Sequence, residues 1–290
     1  MKLVNNTYSF YEKYTIKEQI DILADSGYDA IDFSFFTGPK YFGAETDNEE
    51  FISYLKDLRT YAESKGLSFV QAHAPMPSST NNPDETKDIF ENIVRSMKFA
   101  SILGVEIIVV HPVQHLPYAE EGNPEKLFEM NVDFYNRLLP YCKEYNIKVA
   151  LENMWQMPLP GKCGHSTCSR PDEFVRYLDA LDSEWFVACL DVGHAVLVCE
   201  DPADMVKKLG SRLSCLHVHD IDGTHDSHTL PFFGVNNWDK FIAALKDIGY
   251  KGNFTYESDS FFRNLPKELY PAAMKFAADM GKYFVKKITG

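Results

Sequence analysis

The chain alternates short apolar runs with amphipathic stretches, eight times over. The apolar runs fall at 2–6, 29–35, 67–74, 105–112, 147–153, 185–194, 213–220 and 253–258. Several of them, such as "VEIIVVHP" and "WFVACLDVGH", are almost continuously hydrophobic and rich in Val, Ile and Phe. That is the pattern of strands covered on both faces, which parallel sheets require. Between the runs lie segments with helical punctuation. "TIKEQIDILADSGY" offers Thr15 as an N-cap, Glu18 three residues on, and Gly27 as a stop. Two further segments run to Gly66 and Gly104, and five more occupy 123–146, 170–182, 201–210, 237–252 and 266–288. Eight strand–helix units in 290 residues match the size of one (β/α)8, or TIM, barrel. An open doubly wound sheet is the rival. Eight regular units without a glycine-rich phosphate loop favour closure. No linker or low-complexity tract interrupts the pattern. Residues 1–290 are therefore expected to form a single-domain α/β barrel.

Apolar residues make up 45% of the chain and aromatic residues 14%, enough for a large buried core. No run approaches the roughly 18 consecutive apolar residues of a membrane span. The first residues, "MKLVNNTYSFYEKYT", lack a signal-peptide apolar run. A cytoplasmic protein without a membrane partner is the expectation. The six cysteines (Cys142, Cys163, Cys168, Cys189, Cys199, Cys215) are scattered, contain no CxxC pair, and suit a disulfide-free chain. The formal net charge of −13 disfavours nucleic acid and anionic membrane as partners. Self-association into a homo-oligomer is left open.

Barrel active sites are built where strands end. Here His73 ends the third run, His111 the fourth, Glu152 the fifth, Asp191 and His194 the sixth, His217 the seventh and Glu257 the eighth. From His73 to His111 to Glu152 to Asp191 the steps are 38, 41 and 39 residues, one strand–helix unit each. Such a step places successive side chains at equivalent points around a ring. Any one of them has a plain explanation as a hydrogen-bonded structural residue or a helix cap. Six consecutive strands ending in His or a carboxylate are harder to explain that way. Burying so many ionisable groups without compensation is costly. A divalent cation removes the difficulty, because it pairs with carboxylates and takes neutral imidazole.

The stretch "LHVHDIDGTHDSH", residues 216–228, holds four histidines and three aspartates. Asp226 and His228 form a D-x-H pair, and side chains two apart on an extended segment point the same way. His219 shares the strand face of His217 but lies further along, which leaves its role open. His225 is expected in solvent, and His115 and His165 have no positional argument.

These segments resemble the xylose isomerase-like TIM-barrel superfamily, which includes sugar phosphate isomerases and epimerases, ketose 3-epimerases and the endonuclease IV family. "ALEN", "CLDVGHA", "VVHP" and "HVHD…DSHTLPFFG" followed by "GYKGNFTYES" carry the resemblance, and their order and spacing are more specific than any one piece. The epimerase branch implies one divalent ion (Mn, Co or Mg) on Glu152, Asp191, His217 and Glu257. In it the two glutamates, Glu152 and Glu257, act as the acid/base pair and His194 contacts substrate. The endonuclease branch implies three zinc ions, with His73, His111, His194, Asp226 and His228 as the further ligands. His73, His111 and the D-x-H pair also resemble features of many sugar isomerase-like members.

The expectation is a metal-dependent isomerase or epimerase acting on a small sugar or sugar phosphate, with one or more divalent ions. Trp155, Phe232 and Phe233 would face the sugar or simply pack. Arg170 and Lys162 would meet a phosphate or serve as surface charge. The alternatives are a zinc-dependent AP endonuclease, a metal-dependent lyase or dehydratase on the same barrel, and a non-catalytic sugar-binding barrel. The last leaves two strand-end glutamates unexplained.

Overall fold

The first apolar run pairs with the last. In the computed structural model, which describes residues 1–10, 13–36 and 46–290, β1 (Leu3–Asn6) lies between β2 (Ala30–Ser34) and β10 (Phe254–Tyr256), parallel to both. The other strands of this sheet are β3 (Ser68–His73), β4 (Ile107–Val109), β5 (Lys148–Glu152), β8 (Phe186–Asp191) and β9 (Leu213–His217). Their order is β10-β1-β2-β3-β4-β5-β8-β9, and every pairing is parallel. Val218, just past β9, bridges Tyr256. Its N–H donates to Thr255 O at 2.8 Å, and its carbonyl accepts from Glu257 N at 3.1 Å. These bonds bring the two ends of the sheet together into a nearly closed barrel.

The helices cover the outside: α1 (Ile16–Ser26), α2 (Glu49–Ser64), α3 (Pro83–Leu103), α4 (Asn123–Tyr145), α5 (Pro171–Leu181), α7 (Pro202–Leu209), α8 (Trp238–Asp247) and α10 (Tyr270–Thr289). The capping box at α1 forms as its sequence implies, with Thr15 Oγ1 accepting from Glu18 N and Glu18 Oε2 from Thr15 N. Gly27 closes that helix at φ +85°. Gly281 lets α10 lie close on the barrel, since a Cβ there would sit 2.3 Å from Leu3 Cδ1. Among the described residues no helix is long and apolar enough to cross a membrane. All six cysteines are free.

The structure adds three pieces to the eight-unit reading. An antiparallel hairpin, β6 (Trp155–Leu159) and β7 (Lys162–His165), stands on the loop after β5. Two short helices, α6 (Val192–Leu197) and α9 (Asp259–Arg263), follow β8 and β10. All three sit where strands end. The regular strand in "VEIIVVHP" is also shorter than its apolar run, because only Ile107–Val109 is held in ladders on both sides.

Candidate metal and active site

Strand alternation builds the site. On β5, β8 and β9 the positions two residues before Glu152, Asp191 and His217 are Ala150, Cys189 and Cys215, which pack together with Val109 and Val187 in a small apolar cluster. Side chains two apart share a face. Glu152, Asp191 and His217 are therefore the next layer of the barrel interior, stacked on that cluster at the C-terminal mouth. The same rule on β3 and β10 places His73 above Gln71, and Glu257 above Thr255. There the layer below is polar: Gln71 donates to Asp32 at 3.1 Å and accepts from Thr255 at 3.2 Å.

The donor atoms of Glu152, Asp191, His217 and Glu257 all lie within 4.8 Å of one another. His217 Nδ1 is 2.8 Å from Glu152 Oε1 and 3.1 Å from Glu257 Oε2. On the far side of Glu152, Oε2 has His111 Nε2 at 3.0 Å and His73 Nε2 at 3.6 Å. A further group joins through Asp226, whose Oδ2 is 3.3 Å from His194 Nε2 and 3.2 Å from His228 Nε2. All nine residues marked by sequence thus converge on one end of the barrel.

Two features suit these groups to divalent cations. The first is the assignment of the imidazole tautomers from their partners. Nδ1 of His73 donates to Ala74 O at 2.9 Å, that of His194 to Asn153 O at 2.9 Å, and that of His228 to Glu257 O at 2.7 Å. In the neutral rings each Nε2 would then be a bare lone pair, those of His194 and His228 facing Asp226 and that of His73 facing His111 Nε2 at 2.9 Å and Glu152 at 3.6 Å, an arrangement that a cation makes favourable. The second is a pair of buried polar atoms without hydrogen-bond partners, His217 Nε2 and Asp226 Oδ1. Buried polar groups are rarely left so. In the absence of an ion, protons must balance the carboxylates. Burial opposes charge on His194, but Asp191 and Asp226 outweigh it and push the imidazole up to about 10. Burial likewise works against His217, and Glu257 and Glu152 hold it well above its usual range. Burial would raise Glu152, yet His217 and His111 keep it well below the ordinary carboxylate value.

The surrounding chain fixes these groups. Asn153 clamps the ends of β5 and β8, accepting from Asp191 N at 2.8 Å and donating to Asp191 O at 2.9 Å. Asp191 caps α6 by accepting from His194 N at 2.7 Å, so His194 sits on the first turn of a helix rather than on the strand end. His228 adopts φ +38°, a left-handed conformation that costs a non-glycine residue about 1 kcal/mol or more. Trp155 lines the cleft, but its indole N–H is engaged by Asp226 Oδ2 at 3.2 Å.

Sequence reading left the role of His219 open and did not single out Asp32, Asp220 or Asp259. His219 is fully buried, with Nε2 3.0 and 3.1 Å from the two Asp191 oxygens. Asp259 is buried and 3.1 Å from His228 Nδ1. Asp32, raised to about 6 by burial against the pull of His217 and His73, lies 3.8 Å behind His217 Nε2. Asp220 holds the whole 220–238 loop. It accepts from Ile221 N, Phe232 N, Asn236 N and Trp238 Nε1 at 2.8–3.1 Å. Asp220→Ala strands four donors, and a loss of on the order of 3 kcal/mol or more is expected in chemical denaturation. Unchanged stability would show that the loop does not depend on this carboxylate.

Other sequence candidates lie elsewhere. Phe232 and Phe233 do not line the cleft. Phe232 stacks on Phe284 at 5.3 Å between centroids, and Phe233 packs against Phe261 at 5.6 Å. Arg170 and Lys162 are exposed. His225 is exposed as expected, with Asp222 at 3.0 Å. His115 bonds Ser79 in a separate cleft, and His165 bonds Ser169 beside the hairpin.

The groups open into a cleft of ≈ 430 Å³. Tyr8, Phe36, Met76, Met154 and Trp155 give it apolar walls, and Glu152, Glu257, Gln114 and Arg263 add polar atoms. Comparison with known proteins agrees with this architecture. The chain is 27% identical over 215 residues to an uncharacterized protein of Methanocaldococcus jannaschii, covering 71% of this chain and 69% of that one. It is 24% identical over 255 residues to a probable endonuclease 4 of Acholeplasma laidlawii, covering 80% and 82%. Among solved structures, a D-tagatose 3-epimerase-like protein superposes with a TM-score of 0.76 at 22% identity, covering 100% of this chain and 98% of that one. An IOLI protein with a bound zinc atom gives 0.76 at 19% identity, covering 100% and 98%. Residues 20–280 match the model of the xylose isomerase-like TIM barrel, and the chain belongs to that family.

Proposed function

We propose that the protein is a metal-dependent isomerase or epimerase of small sugars. The observation that carries this is the convergence of Glu152, at the end of β5, and Glu257, just past β10, on one nitrogen of His217, with both carboxylates lining a cleft with apolar walls. Glu152, Asp191, His217 and Glu257 would hold the ion. When bound, a divalent cation supplies electrophilic polarisation of a substrate carbonyl. The chain's residues do the rest. One glutamate takes the proton from the carbon beside the carbonyl, and the other returns a proton to the opposite face or the neighbouring carbon. Tyr8, Phe36, Met76 and Met154 would meet the C–H face of the sugar, exclude water and hold the reacting carbon between the two carboxylates. His194, His73 and Trp155 edge the same cleft and would set substrate orientation. The D-tagatose 3-epimerase-like protein among the structural neighbours supports this reading.

A second reading is favoured by one observation. His73 and His111 against Glu152, and His194 and His228 against Asp226, complete a nine-residue donor set suited to several zinc ions. The endonuclease 4 relative carries the same implication. A zinc-dependent phosphodiesterase would also need cations to meet phosphate. Histidines aside, Arg263 is the only basic residue among those described as lining the cleft, and it lies 3.5 Å from Asp259. The net charge is −13.

The two readings differ in a measurable way. Incubation with the right keto-sugar in deuterated water is expected to exchange a C–H proton, while abasic duplex DNA stays intact. Metal-dependent incision of abasic DNA at physiological salt, lost in His73→Ala and His228→Ala, would replace the isomerase reading with the nuclease. A product lighter by one water would point to a dehydratase.

A further inference from the structure

We propose that His219 is a positioning residue that ties the two donor groups together, holding Asp191 by a hydrogen bond and His228 by ring stacking. The proposal rests on the reading of these groups as cation sites. His219 Nε2 faces both Asp191 oxygens at 3.0 and 3.1 Å. Its Nδ1 is 3.4 Å from Asp220 O, a carbonyl that already accepts from Thr229 N at 3.0 Å. The closer, charge-assisted contact decides the tautomer, so the proton belongs on Nε2 and is donated to Asp191.

Stacking separates this role from ligation. The His219 and His228 rings are parallel within 5°, with centroids 4.0 Å apart. A metal ion binds an imidazole nitrogen in the plane of its ring. Two parallel planes this far apart share no such point. While the rings stack, His219 therefore cannot hold the same ion as His228, even though one of its ring nitrogens lies within 4.8 Å of donor atoms of His194, Asp226 and His228. One imidazole instead sets the carboxylate of Asp191 and the ring plane of His228. Gly193 makes room for it: a Cβ there would lie 2.0 Å from His219 Cε1. The glycine between Asp191 and His194 thus has a packing reason, which is the ring of His219.

The consequence is read by metal binding, not only by turnover. Wild-type protein and His219→Phe, His219→Asn and His219→Gln are titrated with Co(II) against a chromophoric chelator, with elemental analysis for ions per chain and circular dichroism for the fold. Partners that orient a ligand typically contribute 10–100-fold in affinity. Phe keeps a stacking ring but loses the N–H, and Asn ends near the position of Nδ1. Both are expected to weaken the tightest ion by on the order of 10–100-fold with the ion count unchanged. Gln, whose amide nitrogen ends near the position of Nε2 but which brings no ring, is expected to restore the hold on Asp191 without the stacking on His228, and so to fall between wild type and the Asn variant. Gly193→Ala is expected to match the Phe variant, because it displaces the ring. In the loaded wild type, a nitrogen-15 histidine spectrum is expected to show a protonated Nε2 on His219, a measurement that needs no variant to fold.

A bare, ion-bound Nε2 would overturn the proposal, as would the loss of one ion per chain in the Phe and Asn variants. Identical affinities in all variants would also overturn it, while leaving the cation sites standing. Wild-type protein that takes up no divalent ion would remove the sites themselves.

Discussion

Glu152→Gln and Glu257→Gln are each expected to lower turnover by on the order of a hundredfold or more, with the barrel still folded. The substitutions keep shape and hydrogen-bonding capacity but remove the group that moves a proton. The two should differ in detail. Glu152 is shared: its Oε1 meets His217, and its Oε2 meets His111 and His73. Losing its charge is expected to weaken ion binding as well as proton transfer. Glu257 meets only His217 among the metal-site histidines by its side chain, while its backbone carbonyl serves His228. Its loss should also weaken the ion, though less than that of Glu152, and with metal saturating the remaining effect should fall on kcat with KM nearly unchanged, the signature of a contact made in the transition state. Steady-state kinetics with metal-saturated variants would separate these effects. Near-native turnover in either variant would end the two-glutamate mechanism.

Much of this site is legible in the sequence because a (β/α)8 barrel converts chain order into angular order. The steps between His73, His111, Glu152 and Asp191 track the repeat of the fold, and alternation along each strand sends these side chains inward. The same logic fails where the backbone leaves the strand. His194 reaches the site from the first turn of α6, and a strand-end reading places it correctly only because that turn folds back over Asp191. His228 depends on a left-handed backbone angle that nothing in "DSH" announces. Asp259 comes from a helix of five residues that follows β10. His219 was ambiguous for a different reason. Alternation fixes its face, but its role follows from the ring it stacks on and the glycine opposite it, and both are tertiary facts. For Phe232 and Phe233, of the two readings left open, packing is the one the structure shows. Aromatic residues near a motif invite a binding role, yet these two are turned outward by the loop that Asp220 organises, toward α9 and α10.

Removing the ion is expected to abolish turnover and to lower the melting temperature. Glu152 and Asp191 are almost wholly buried, and Glu257 and Asp226 are only 9% and 17% exposed in their side chains. Carboxylates this close together repel one another and lack water to screen them. The imidazoles balance them only by taking protons, which burial opposes at every one of His73, His194, His217 and His228. A cation that binds the folded state alone adds stability by mass action, about 4 kcal/mol at a thousand times its dissociation constant. For a chain of this size that is a shift of roughly ten degrees. Thermal melts before chelation, after it, and after reloading with Mn, Co, Mg or Zn would measure the stability change, and turnover after each reloading would identify the working ion. The two readouts test different things. A melting temperature that falls on chelation while turnover persists would make the ion a structural support and leave the glutamates to work without it. Full turnover and an unchanged melt in protein shown to be metal-free would mean that the carboxylates are balanced by protons alone, and the metal site would have to be abandoned.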